Sequence, residues 1–209
     1  MNNQFFKLSI PTPATKFTTY LQPFCCSSII GFEMVEREDY SIYLQKYSYD
    51  CAAGAVGIVL RNFGEKVNHY NLMQALDIRR SGTGPGRLEE YFRRRGFSVF
   101  SQENSSVAEL KRQSNKGRLS IVLYQGSGTK REMASYKSGH YSVVAGVTSR
   151  YVYLLDPGVA QDYGQGVGWQ VISVTDFRNR WLDRWKEKGK NVYMQGWMLA
   201  VSRLRTRRL

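Results

Sequence analysis

The chain has 209 residues, with 30 lysines and arginines, 17 acidic residues and a formal net charge of +13 at pH 7. Its 42% of hydrophobic and 13% of aromatic residues predict a globular protein with a sizeable core, which excludes an intrinsically disordered chain. The positive charge would attract acidic partners, including nucleic acid, but the basic residues form no long uninterrupted block, so we favour a solvated basic surface.

Residues 1–32 contain three prolines and no hydrophobic period, which predicts an irregular N-terminal extension. The segment lacks the charged start and apolar core of a signal peptide, and no stretch of the chain approaches the ~20 apolar residues that span a bilayer. The cysteines Cys25, Cys26 and Cys51 are a poor disulfide framework because two of them are adjacent. We therefore expect a cytoplasmic protein without a membrane span.

The first half of the chain has a helical pattern. Apolar residues at helical spacing predict a helix over 51–63, which Asp50 can cap and Gly64 ends. Asn68 begins a shorter helix. The glycines and the proline of "SGTGPGR" indicate a loop, and the third helix that follows it ends at Gly96.

The second half is rich in strands. Residues 97–102 and the runs "LSIVLYQ", "HYSVVAGV", "YVYLLD" and "WQVISV" combine β-branched and aromatic residues with flanking turn residues. Ser106 opens a capping box for a short helix, and Thr175 can cap a later helix that extends to Trp185. The segment "VYMQGWMLAVS" predicts one last strand, and consecutive short strands favour an antiparallel sheet, so the fold class is α+β. The predicted organisation is an irregular extension at 1–32, one domain at 33–203 and a basic tail at 204–209.

Cys51 stands at the predicted N-terminus of the first helix. Free cysteine is often a buried small hydrophobe, but a helix N-terminus also favours the thiolate that acts as a nucleophile. A neighbouring imidazolium would favour it further, and the chain has two histidines. His69, in the polar start of a helix, is most simply a surface residue, whereas His140 opens a predicted strand after a glycine-containing loop.

Two further residues complete a candidate site around this thiol. The strands that begin with His140 and end with Asp156 are joined by the short "TSR" connection, so a hairpin brings the two side chains together. An aspartate there can hold the imidazole and stabilise its cation, although Asp-Pro-Gly is also an ordinary turn signal. Gln45, six residues before Cys51, is a candidate oxyanion donor or else a plain surface residue.

These residues carry a resemblance to a known family. Gln45, the Asp50-Cys51 pair and the helix ending "LRNFG" resemble the bacteriocin-processing, double-glycine cysteine peptidases. "SGTGPGRLEEYFRRRGFSV" is similar to that family's glycine-rich loop and second-helix region, "GHYSVV" and "YVYLLDPG" to its histidine and aspartate strands, and "VTDFRNRW" to its late helix. The match runs from about Gln45 to Trp185. One departure is Ala52, which follows the cysteine where the family usually has glycine.

The resemblance implies a papain-like fold in which an N-terminal helical lobe packs on an antiparallel sheet. It also implies Cys51 as nucleophile, His140 as general base and then acid, Asp156 as the residue that orients it, and Gln45 as oxyanion donor. We further predict that the substrate contacts the glycine-rich loop and the neighbours of His140, namely Gly82, Thr83, Gly84, Gly139 and Tyr141. The loop "GSGTKREMASYKS" before His140 is long enough to form a lid or a partner surface.

Peptide hydrolysis is the leading function, with a peptide or protein substrate, and cleavage of a leader after Gly-Gly is one form of it. Deamidation, transglutamination or another acyl transfer by an effector or toxin would use the same three groups. A non-catalytic module that binds a peptide or nucleic acid through its charge is the third hypothesis. No cofactor is expected, and two distant histidines give no metal-ligand cluster.

Overall fold

The computed structural model describes residues 40–127, 139–162, 164–187 and 189–204. The predictions for the extension at 1–32, for nearly all of the basic tail and for most of the loop before His140 lie outside these residues. The helices are α1 Cys51–Asn62, α2 His69–Ala75, α3 Pro85–Arg94, α4 Val107–Asn115 and α5 Val174–Arg180. The strands are β1 Phe97–Gln102, β2 Leu119–Gln125, β3 Gly139–Val147, β4 Tyr151–Leu155, β5 Trp169–Ser173, β6 Leu182–Glu187, β7 Lys190–Gln195 and β8 Met198–Arg203.

Six strands form one antiparallel sheet in the order β1-β8-β2-β3-β4-β5. The strands β6 and β7 pair as a separate antiparallel hairpin. Three helices precede the first strand along the chain, so the α+β class predicted from the sequence is confirmed. In the main sheet, β3 pairs with β2 on one side and with β4 on the other.

The sheet separates two hydrophobic clusters because successive side chains on a strand point to opposite faces. Val143 belongs to the cluster that contains α1, whereas its neighbour Val144 belongs to the cluster that contains Phe177 of α5. Ile121 and Val122 on β2 divide in the same way. The β3–β4 pairing shifts register between Val144 and Gly146, which marks a β-bulge.

The helix α1, which begins with Cys51, is buried on almost every side, with all residues from Ala52 to Leu60 inside the protein. Two glycines allow this close packing. A Cβ atom at Gly54 would lie 2.3 Å from Pro157 Cβ, and one at Gly57 would lie 2.3 Å from the Tyr43 ring. The helix is therefore fixed against β4's end and against the segment that precedes α1.

The late part of the chain differs from its prediction in three ways. Ser173, not Thr175, caps α5, because its hydroxyl accepts a hydrogen bond from the Asp176 backbone N–H. The helix ends at Arg180 with Trp181 as its C-cap residue, and Leu182 and Trp185 belong to strand β6 instead. The predicted last strand is two strands, because Gly196, with a φ of 60°, interrupts it.

Candidate active site

Cys51 begins α1 at the edge of a cleft, where it is partly exposed. The α1 N-terminus offers backbone N–H groups without intrahelical partners beside the sulfur. Asp50 occupies the N-cap position, but its carboxylate makes no capping hydrogen bond to the helix, so the predicted side-chain cap is wrong. The first turn of α1 also contains no acidic residue. This end of the helix is thus left electropositive toward the cleft.

His140 and Asp156 meet as the hairpin predicted. The pairing of β3 with β4 brings the first residues of β3 beside the residue that follows β4. The distance from His140 Nε2 to Asp156 Oδ1 is 2.7 Å, and both side chains are largely buried. Burial alone would lower the pKa of His140, but side-chain hydrogen bonds with Asp156 and Cys51 and the charges of both raise this pKa to about 10. The surroundings of the imidazole therefore favour its protonated form.

Two hydroxyl groups that the sequence analysis missed hold the Asp156 carboxylate. Tyr124 Oη donates to Asp156 Oδ2 at 2.9 Å, and Ser142 Oγ donates to the same oxygen at 3.1 Å. The Gly158 backbone N–H donates to Oδ1 at 2.7 Å. Burial raises the pKa of Asp156, but the hydrogen bond and charge of His140 and these further donors outweigh it, so the pKa lies below its usual value. The carboxylate is an anion held in one orientation.

Gln45 also contacts the segment that directly follows Asp156. Its backbone N–H donates to Pro157 O at 2.9 Å, and its Nε2 donates to Tyr47 O at 2.8 Å. The Oε1 atom is buried and receives no hydrogen bond from the described residues. A Cβ atom built at Gly158 would lie 3.3 Å from this Oε1 and 3.2 Å from His140 Cε1, so the amide and the imidazole flank the same glycine.

Asp50, the residue directly before Cys51, forms a buried carboxylate–imidazole pair with His69. Asp50 is fully buried, and its Oδ2 lies 2.7 Å from His69 Nε2. The same carboxylate accepts hydrogen bonds from the backbone N–H groups of Lys46 and Tyr47, at 3.3 and 3.1 Å. The prediction of His69 as a surface residue is wrong, because its ring is 7% exposed and its Nδ1 contacts Tyr43 Oη at 3.2 Å. Asp50 therefore fixes the loop that carries Gln45.

The cleft beside Cys51 has a volume of about 990 Å³. One wall is the loop from Arg80 to Gly86 with the start of α3, and the other comes from β2, β3 and β6. The five residues predicted to contact substrate all line it, namely Gly82, Thr83, Gly84, Gly139 and Tyr141. Tyr141 Oη donates to Thr83 O at 3.1 Å, which joins the two walls. Ala52 also lines the cleft, but it is only 1% exposed and packs in the core.

The described part of the chain contains no group of three or more His, Cys, Asp and Glu side chains arranged to hold a metal ion. Within the same residues, no helix is both long and apolar enough to cross a membrane.

The helical lobe, the antiparallel sheet and the cysteine at the start of the central helix define a papain-like protein. More specifically, the chain belongs to the Peptidase C39 family, whose model matches residues 39–182. The protein is thus a cysteine peptidase, as the resemblance implied.

Solved structures support the same fold. The peptidase domain of Streptococcus ComA, a bi-functional ABC transporter of a quorum-sensing pathway, matches with a TM-score of 0.58 and 18% identity over 79% of this chain and 99% of that one. A protein described as a C39-like peptidase from Bacillus anthracis matches with a TM-score of 0.61 and 12% identity over 83% and 99% of the two chains. A double-glycine-motif protease from an AMS/PCAT transporter, solved with a leader peptide, has a TM-score of 0.51 and 15% identity over 75% and 91%. Comparison with curated protein sequences gives no match.

Proposed function

We propose that Cys51, His140 and Asp156 are the catalytic triad of this peptidase. The observation that carries the proposal is that Asp156 holds the His140 imidazole at 2.7 Å, while Cys51 lies close enough to that imidazole to influence its pKa. Asp156 contacts Nε2 of His140, so Nδ1 is the ring nitrogen that can exchange a proton with the Cys51 thiol. The raised pKa of His140 favours a protonated imidazole, and an imidazolium beside a cysteine is the setting in which such a thiol acts as a nucleophile.

The reaction then follows from the position of each group. The Cys51 thiolate attacks the carbonyl carbon of the scissile peptide bond and forms a tetrahedral oxyanion. The Cys51 backbone N–H and the second N–H of Gln45 Nε2 stabilise this oxyanion, while the first is used by Tyr47. His140 protonates the leaving amine, and the acyl group remains on sulfur as a thioester. His140 then takes a proton from water, whose oxygen attacks the thioester and releases the acid.

We further infer that the substrate is a peptide whose leader ends in Gly-Gly. The support is the family membership and the similarity to a double-glycine protease that was solved with a leader peptide. In this chain three glycines line the cleft together with Cys51, namely Gly82, Gly84 and Gly139, and the hydrogen bond between Tyr141 and Thr83 joins its two walls.

Alkylation and cleavage test both parts. Iodoacetamide at pH 6 should modify Cys51 at least tenfold faster than Cys25, Cys26 or a model thiol, as mapped by mass spectrometry, because only a thiolate reacts at that pH. Cys51→Ala should abolish cleavage of a fluorogenic Gly-Gly peptide. Equal alkylation rates, or cleavage that survives Cys51→Ala, would reject the triad. Equal cleavage of Gly-Gly and Ala-Ala peptides would reject the leader specificity alone.

A further inference from the structure

A second carboxylate faces the cleft in which the nucleophile lies. Asp183, on β6, lines this cleft together with Cys51, Gly139 and Tyr141. It stands one residue beyond the segment that matches the family model. The mechanism proposed above does not use it, although the chain as a whole is strongly basic.

The local structure holds this carboxylate in a defined position. Its Oδ1 accepts hydrogen bonds from Gln125 Nε2 at 2.9 Å and from the Arg184 backbone N–H at 2.8 Å. Gln125 is fully buried and also donates to Leu182 O at 3.1 Å, so it ties the start of β6 to the end of β2. A Cβ atom at Gly139 would lie 2.5 Å from Asp183 Oδ2, so the carboxylate occupies the space that a side chain at this position would need.

The charge of Asp183 is only partly compensated. Among the described residues, no cation forms an ion pair with it, and no hydrogen bond reaches its Oδ2. Burial is the largest influence on its pKa and raises it, against the opposing hydrogen bonds and the charge of Arg184. Glu90, the other carboxylate on the cleft wall, differs because it is paired with Arg87 and Arg94. Asp183 is thus the cleft carboxylate whose charge a cation of the substrate can compensate.

We propose that Asp183 binds a lysine or arginine side chain of the peptide substrate and makes the peptidase selective for a basic residue near the scissile bond. This inference rests on the proposed function, because it places the ligand in the same cleft. A partly desolvated carboxylate that has no ion-pair partner among the described residues gains most from a hydrogen-bonded ammonium or guanidinium group. Hydrogen bonds to charged groups contribute enough to give a preference of about tenfold or more.

Cleavage of a peptide series tests the proposal. Each peptide has one scissile bond after a constant Gly-Gly pair and carries lysine, methionine or glutamate either at the third residue before that bond or at one of the three residues after it. Wild-type enzyme should show a kcat/KM about tenfold higher for lysine than for methionine at one position. Asp183→Asn should abolish this preference and leave cleavage of the methionine peptide within about threefold. The matched control is Asp176→Asn, because Asp176 pairs with Arg180 on α5 and is absent from the cleft lining.

Binding to the Cys51→Ala protein, followed by fluorescence anisotropy, gives a readout that does not depend on cleavage. The lysine peptide should bind about tenfold more tightly than the methionine peptide, and Asp183→Asn on this background should remove the difference. The proposal is overturned if lysine has no advantage at any position, if Asp183→Asn retains it, or if Glu90→Gln removes it instead. A lysine preference in binding without any cleavage by the wild type would reject the catalytic proposal and support the subsite.

Discussion

The substitution Asp156→Asn should lower the pKa of His140 and move the alkaline limit of activity toward neutral pH. The native value of about 10, against an ordinary value of 6.5, corresponds to about 5 kcal/mol in favour of the imidazolium. Asp156 and Cys51 share this effect, through one hydrogen bond and one charge interaction each. If Asp156 supplies half of it, Asp156→Asn loses about 2–3 kcal/mol and lowers the pKa by about two units, so through this effect kcat/KM should fall about 50-fold at pH 10 and change little at pH 7.

The assay is the pH profile of kcat/KM between pH 5 and 11, read beside a histidine NMR titration. The chain has two histidines, so the Cε1–H signals of His140 and His69 can be assigned by single substitutions. Ser142→Ala is the matched control, because it removes a hydrogen bond to Asp156 and leaves the 2.7 Å contact with His140 in place. It should reduce kcat/KM by less than about tenfold and the free energy of unfolding by about 1 kcal/mol.

The direction of the change is fixed by which form of His140 is active. The imidazolium is present below a pH of about 10 in the native protein and is lost above it. In Asp156→Asn it should be lost at a pH lower by about two units, and lowering the pH from 10 to 7 should restore the activity that this effect removes. An alkaline limit and an NMR titration that both coincide with those of the wild type would refute the reasoning.

Three further substitutions or conditions have defined outcomes. Gly54→Ala should reduce the free energy of unfolding by about 1–3 kcal/mol in urea because its methyl would lie 2.3 Å from Pro157 Cβ, whereas Gly86→Ala, with open space around it in α3, should be neutral or stabilising; equal values would contradict this packing argument. Asp50→Asn should cost about 1–3 kcal/mol and slow peptide cleavage more than iodoacetamide alkylation, since it loosens the oxyanion loop; a parallel loss of both rates would argue against that role. Asp156 has a lowered pKa, so its contribution to stability is present above about pH 3.8 and is lost as the pH falls through the native pKa. The thermal midpoint should therefore drop more steeply on acidification in the wild type than in Asp156→Asn. Parallel curves for the two proteins would count against this contribution.

The contact between His140 and Asp156 followed from the sequence because a hairpin has few possible geometries. A three-residue connection between two apolar runs determines which ends of the two strands meet. A histidine and an aspartate at those ends can then form a hydrogen bond. The same local logic gave the caps at Asn68 and Ser106, whose side chains accept hydrogen bonds from Asn71 N and Glu109 N.

The failures occurred where a side chain turns toward a distant part of the chain. Asp50 sits at an ordinary cap position, but its carboxylate points back to the preceding loop and to His69, a residue that local polarity had placed at the surface. Tyr124 and Ser142 look like ordinary strand residues, since only the sheet register brings their hydroxyls to Asp156. The spacing of apolar residues predicted a helix that continues past Arg180. Residues 182–187 form strand β6 instead, because they pair with β7.

The burial of α1 has a consequence for how the enzyme can move. Its amide hydrogens should exchange with solvent only when the whole domain unfolds, because the helix is enclosed from Ala52 to Leu60. The loop on the opposite wall of the cleft is held by an isolated bridge between Arg79 and Gly82 and by two side-chain hydrogen bonds to or from Thr83. Residues 79–81 are exposed, so the amides of this loop should exchange much faster. Any adjustment to different peptides is then made by the 80–86 loop, while the sulfur stays fixed in the frame of the sheet.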